Sequence, residues 1–277
     1  MSEKWREYYS DYEIKKIQSL LLESLKVFIE ICEKLDIEFM LYGGTLLGAV
    51  KYKGFVPWDD DIDLALLRKD YDKLIKFGPA LLPKEYEILH PSINKATPFP
   101  YVKFIRKDIR FAEYHTHKLK IHGIYFDIYP IDNLPDDDKL LYKEHKKFQT
   151  IVRLFSLRQS KYLYHPVNSL NDVFKAIIKT SIHFVLRLIP HRYFVNKMYK
   201  IMTKYNDITT KRQGNYFYPK PVNYFYGIYP MKKLLFEGFE LKIPNGYEIN
   251  LFNRYGDISK LPPEENRIGH KPYILEI

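Results

Sequence analysis

The sequence predicts an α+β fold: a mixed sheet of four or five strands flanked by helices and carrying a mostly helical, basic insertion. Three observations lead there. Short runs of strand formers recur through the first half of the chain; helical spacing dominates its opening and its middle; and the positive charge is confined to that middle. The 277 residues are 46% hydrophobic and 28% charged, ordinary globular values that exclude a disordered chain. The widest gap between acidic or basic residues is the 12 from Phe39 to Val50, well short of the roughly 20 apolar residues of a membrane span.

Ser10 to Glu13 reads as a capping box, and Ile14, Ile17, Leu21, Leu25, Phe28 and Ile31 follow at helical spacing, so residues 11–35 are expected to form a long amphipathic helix. Ile37 to Tyr42 reads as a strand entering Gly43-Gly44-Thr45, with a short helix over Leu46 to Lys53. After the breakers Gly54 and Pro57, Ile62 to Leu67 is a second strand led by Asp59, Asp60 and Asp61, and Lys69 to Phe77 is helical again. Tyr86 to His90, Tyr101 to Arg106 and Ile124 to Pro130 complete the expected sheet. The organisation reads as a catalytic core over 1–135, the insertion over 136–214, and a closing module over 215–277.

Lys plus Arg exceed Asp plus Glu by 10, yet residues 141–212 alone hold 15 basic against three acidic residues, leaving the remainder slightly negative. A surplus of that kind suits polyphosphate, nucleic acid or an anionic membrane surface. Within it, Lys175, Lys179, His183 and Arg187 recur every four residues among Phe174, Ile177, Ile178, Ile182, Phe184 and Leu186. The simplest expectation is a helix packing its apolar side on the core with the basic stripe in solvent; the alternative is a helix lying on an anionic membrane. The charged, aromatic opening MSEKWREYYSDYE is unlike a secretory signal, and Cys32 is the single cysteine, so a cytoplasmic protein without an intramolecular disulfide is expected.

The chemistry concentrates in two places. Asp61 and Asp63 lie two apart on an expected strand, so they share a face while Ile62 and Leu64 point to the core. That pair suits a hard cation, with Mg²⁺ (or Mn²⁺) held by one or two carboxylates and substrate phosphates; Asp59 and Asp60 read as a solvated turn. Gly43, Gly44 and Thr45 could bring backbone N–H groups and a helix N-terminus to a phosphate. Asp127, mid-strand among Tyr125, Phe126, Ile128 and Tyr129, is a buried charge that a metal could satisfy, as could hydrogen bonds.

The run LYGGTLLGAVKYKGFVPWDDDIDLAL closely resembles the signature of the LicD family, the phosphorylcholine transferases of bacterial cell surfaces, whose domain is shared with fukutin-type ribitol-phosphate transferases. GIYFDIYPIDNLP and KIPNGYEINLFNRYGDISKLPPEENRIGH extend the resemblance over most of the chain, least through 136–212. The resemblance implies a nucleotidyltransferase fold with Gly43 and Gly44 as the phosphate turn, Asp61 and Asp63 as metal ligands, and Asp127 as third ligand or general base. It also implies a CDP-linked donor, a glycan acceptor such as lipopolysaccharide or a teichoic acid precursor, and a protein peripheral to the cytoplasmic membrane face where that acceptor is lipid-linked.

Lys103 and Arg106, on one strand, could hold phosphate oxygens, and Arg254, Arg267 and His270 could do so at the carboxyl end. His122 is expected on the face opposite Asp127, and Trp58 in the core. Tyr255-Gly256-Asp257 with Pro262 and Pro263 matches the family's closing motif without a chemical role that follows from residue type. Two rival functions share parts of this pattern: a nucleotidyltransferase releasing pyrophosphate, and a basic nucleic-acid-binding protein, which leaves the aspartates unexplained.

Overall fold

The computed structural model describes residues 7–113, 121–159, 170–267, 269–270 and 272–276. Helix α1 (Asp11–Leu35) starts at the expected capping box: the Ser10 hydroxyl accepts the Glu13 N–H, and the Glu13 carboxylate accepts the Ser10 N–H. It ends at Asp36 in the left-handed conformation. Strand β1 (Met40–Leu41) is shorter than expected, and helix α2 (Gly43–Tyr52) begins at Gly43, so the glycine pair lies inside its first turn. Strand β2 (Asp63–Leu67) and helix α3 (Arg68–Phe77) follow as read, as do β3 (Tyr86–Leu89) and β4 (Val102–Arg106). The short β5 (Arg110–Glu113) pairs with the closing strand β11 (Pro272–Glu276), away from the main sheet.

Strand β6 (Ile124–Leu134) runs longer than expected and is the spine of the sheet. The order is β1-β2-β6-β4-β3, with β2 and β6 parallel and the other neighbours antiparallel. Beyond Pro130, β6 continues into β7 (Arg212–Gly214) and β8 (Tyr224–Tyr226), which makes seven strands where four or five were expected. The fold is the expected α+β class, a mixed sheet between helices.

Alternation divides the sheet into two faces. Leu64, Phe104, Phe126 and Ile128 are fully buried and turn toward α1, where Phe28 meets Phe104 and Phe126 edge-on at 5.5 and 5.6 Å. The opposite face carries the polar residues described below. A second core lies beside the sheet, in which Phe148 and Phe155 of α4 (Asp138–Gln159) pack with Phe194 and Met198 of α6 (His191–Met202), Leu186 of α5 (Leu170–Arg187), and Leu134 and Tyr216. Residues 160–169 of the expected basic segment lie outside the described residues.

The orientation of α5 overturns the apolar half of the expectation, while Lys175 and Arg187 of the basic stripe stay exposed. His183 and Leu186 face inward, with His183 Nδ1 2.8 Å from the Leu157 carbonyl oxygen, while Phe174, Ile177, Ile178 and Phe184 stand in solvent. Helical spacing identifies residues that share a side but not the side that meets the core.

Between β8 and β11 the chain forms a hairpin of β9 (Lys232–Phe236) and β10 (Phe239–Ile243) and then helix α7 (Tyr247–Tyr255). The hairpin turn clasps the segment after α2: the Glu237 N–H donates to the Lys53 carbonyl at 2.9 Å, and the Glu237 carboxylate accepts the Phe55 N–H at 3.0 Å.

Candidate active site

Pairing register assembles the site. Asp63 on β2 lies opposite Asp127 on β6, and Asp127 lies opposite Lys103 on β4, so two carboxylates and an ammonium form a row across three strands. Lys103 Nζ is 2.5 Å from Asp127 Oδ1 and is only 3% exposed; the Tyr129 hydroxyl donates to Asp127 Oδ2 at 3.2 Å. A buried ammonium requires such a partner. Its remaining surroundings are ring faces, with Tyr125, Phe99 and Tyr101 centroids at 3.8, 4.6 and 5.5 Å.

Asp63 is fixed from behind by Thr45, whose hydroxyl accepts the Asp63 N–H at 2.8 Å, while the Tyr42 N–H donates to the Asp63 carbonyl at 3.0 Å. Both anchors come from the turn into α2. Gly43 has φ +54°, and a Cβ there would meet Asp63 Oδ2 at 1.9 Å; a Cβ at Gly44 would meet Asp59 Oδ2 at 2.6 Å. The space above the glycine pair, expected to admit a phosphate, holds these two carboxylates at a helix N-terminus, a placement the helix dipole favours.

Asp59, Asp61 and Asp63 all have carboxyl groups held above the usual range, first by burial. Mutual repulsion adds to the burial effect: Asp61 acts on Asp59 and on Asp63, while His270 opposes the rise at Asp61 and Arg254 opposes it at Asp63. Ionising all three together is therefore unfavourable in the protein alone, which is the condition a divalent cation would relieve. Among the described residues no three Asp, Glu, His or Cys side chains converge as a metal cage. Asp61 and Asp63 remain a two-carboxylate set of the kind that binds Mg²⁺ together with substrate phosphates, while Asp127 is turned to Lys103.

Other expectations shift. Asp60 is not a solvated turn residue: it is 6% exposed and accepts the Tyr9 hydroxyl at 2.7 Å and the His270 N–H at 3.0 Å, with His270 Nδ1 at 2.8 Å. Asp59 is half-buried, with its carbonyl accepting the Gln18 side-chain amide at 2.9 Å. Arg106 lies outside the group. Three residues beyond Lys103, it points to the other side of β4, where Glu23 and Asp108 hold its guanidinium at 2.6 and 2.9 Å. His122 is exposed ahead of β6 rather than within it, and Trp58 is half-buried against the core with the Arg267 guanidinium 5.2 Å from its ring.

Arg254, the last basic residue of α7, does reach the site. Its guanidinium lies among the rings of Tyr218, Tyr255 and Tyr42 at 4.9, 5.3 and 5.5 Å, and its charge acts on Asp63. The aromatic wall was missed in the sequence: Tyr101 and Tyr129 meet at 4.7 Å, and Phe217, between β7 and β8, lies 5.4 and 5.7 Å from them. The period-two placement of Tyr129 after Asp127 was the available signal.

Comparison with known proteins finds a family and relatives. Residues 36–168 match the family model described as LicD/FKTN/FKRP, nucleotidyltransferase domain. The chain is 28% identical over 282 residues to the lipopolysaccharide cholinephosphotransferase LicD of Haemophilus influenzae, covering 95% of this chain and 98% of that protein. An uncharacterised protein of Rickettsia typhi is 29% identical over 136 residues, which is 49% of this chain and 42% of the other. The matched span from 36 to 168 contains β1, α2, β2, β4 and β6, and so every member of the Asp61, Asp63, Asp127 and Lys103 group.

Proposed function

Because this chain belongs to the LicD family, we propose that it is a phosphotransferase that moves phosphorylcholine from a CDP-linked donor onto a sugar hydroxyl, releasing CMP. The observation that carries the reading is the row of Asp63, Asp127 and Lys103 with Asp61 beside it, a charge arrangement suited to phosphoryl transfer. The name of the Haemophilus relative supports a lipopolysaccharide-type acceptor.

In this reading Asp61 and Asp63 hold a divalent cation, Mg²⁺ or Mn²⁺. That ion would neutralise charge building on the donor diphosphate. Asp127, fixed by Lys103 and Tyr129, aligns the acceptor hydroxyl for in-line attack on the choline-bearing phosphorus. The new bond joins the acceptor oxygen to that phosphorus, the bond from phosphorus to the bridging oxygen breaks, and CMP leaves with that oxygen; the hydroxyl proton passes to Asp127 or to water. Thr45, Gly43 and Gly44 act by holding Asp63 and Asp59 in place. Arg254 supplies positive charge on the Asp63 side. The ring faces of Tyr101, Tyr129 and Phe217 suit a quaternary ammonium, which favours choline over an uncharged alcohol.

The test is product analysis after incubation with Mg²⁺, CDP-choline and a lipopolysaccharide acceptor. CMP with phosphorylcholine on the glycan is expected. Pyrophosphate release from a nucleoside triphosphate would make the protein a nucleotidyltransferase instead, and turnover of CDP-ribitol or CDP-glycerol alone would move the transferred group.

A further inference from the structure

Helix α5 presents an apolar side to solvent. Phe174, Ile177, Ile178, Phe184, Val185 and, just past its end, Leu188 are 43–84% exposed. At about 100° per residue they gather on one side of the helix, opposite the inward-facing His183 and Leu186. Scattered exposed apolar residues are ordinary; a contiguous helix face of them is a contact surface.

The surroundings of that face select its partner. Lys175 and Arg187, both exposed, flank it on either side, and residues 170–212 carry nine Lys or Arg against two Asp. On α4 and α6 the exposed Lys143, Lys146, Lys197 and Lys200 have no ion-pair partner among the described residues. A second copy of the chain would bring like charge against this unit, since each carries a surplus of +10. An anionic lipid surface offers the opposite charge together with an apolar layer. The helix is 18 residues long, about 27 Å, and among the described residues no helix is long and apolar enough to cross a membrane. The geometry is that of a helix lying in the plane of the interface.

We propose that the outward face of α5 is a docking surface for anionic phospholipid, with the apolar side chains entering the acyl boundary and the lysines and arginines meeting the headgroups. It rests on α5 and its charged neighbours alone, and it stands whether or not the transfer chemistry is as proposed. The basic stripe is not the contact face itself: Lys179 lies toward the packed side, half-buried, so the apolar residues are the ones to change.

Flotation of the full chain with vesicles tests this. Binding is expected to phosphatidylcholine vesicles containing phosphatidylglycerol and not to phosphatidylcholine alone. Replacing Phe174, Ile177 and Phe184 together by Ser should weaken it by about a hundredfold or more, and the Lys175→Glu, Arg187→Glu pair by roughly tenfold or more. A Phe184→Trp chain, whose fold is independent of the triple variant's, should add an emission component that shifts to the blue with the anionic vesicles. No binding, equal binding to both vesicle types, full binding by the folded triple variant, or no emission shift would each overturn the proposal. So would a concentration-dependent dimer that the triple substitution dissociates, which would assign the face to a second copy.

Discussion

Lys103 and Asp127 face each other across the β4–β6 pair at 2.5 Å, the lysine almost wholly enclosed by protein. A buried ammonium and carboxylate each depend on the other, because either one left alone in a low-dielectric setting is strongly destabilising. Replacing Lys103 by Met is therefore expected to cost about 3–5 kcal/mol in urea unfolding and to abolish transfer. A chain with unchanged stability would show that water already solvates Asp127.

The close approach of Gly43 to Asp63 makes a second expectation. Alanine at 43 must displace the carboxylate and also adopt a left-handed backbone, so Gly43→Ala should destabilise by about 1–2 kcal/mol and reduce the rate far more than the melting temperature implies. Thr45→Val leaves the partly buried Asp63 N–H without its acceptor and should cost about 1–2 kcal/mol. Both are read by thermal melts alongside initial rates; Gly43→Ala at wild-type rate would remove the glycine from the site's architecture.

Cation binding should change the dependence of stability on pH. Asp59, Asp61 and Asp63 have folded-state carboxyl groups above the ordinary range, so the folded chain binds more protons than the unfolded one across that interval. Their contribution is then fully present below the unfolded value near 4 and is lost as pH rises through the raised values. The metal-free protein should melt lower at pH 8 than at pH 5.5 on account of these groups. Mg²⁺ should raise the melting temperature most at pH 8, and chelation should reverse it. Asp61→Asn, Asp63→Asn should flatten both effects; an undiminished Mg²⁺ response in that variant would place the ion elsewhere.

The Asp60 clasp gives a prediction of another kind. Tyr9→Phe removes one of its donors and is expected to cost about 1–2 kcal/mol and to quicken proteolysis around His270. Limited digestion followed by mass spectrometry reads it directly; an unchanged cleavage pattern would show that the His270 contacts suffice.

Much of this was legible in the sequence where the determinants are local. The capping box and helical apolar spacing located α1, and alternation located β2, although the strand begins at Asp63 and leaves Asp61 in the segment before it. What could not be read depends on distant partners. Asp60 looks solvated until Tyr9 and His270, 51 and 210 residues away, are folded against it. Lys103 and Arg106, three apart on one strand, face opposite ways by local alternation alone; what the sequence hides is their partners, Asp127 for one and Glu23 for the other. The outward turn of α5 is of the same kind, because an amphipathic pattern is symmetric with respect to which side finds the core.

Tyr9 and His270 also touch each other, the tyrosine hydroxyl oxygen lying 2.5 Å from the histidine carbonyl oxygen, so that its one proton is shared between that carbonyl and Asp60. Two segments 261 residues apart in sequence are thus neighbours in space, fastened to one another at Asp60. Loosening either segment should therefore loosen the other, since both hold the same buried carboxylate.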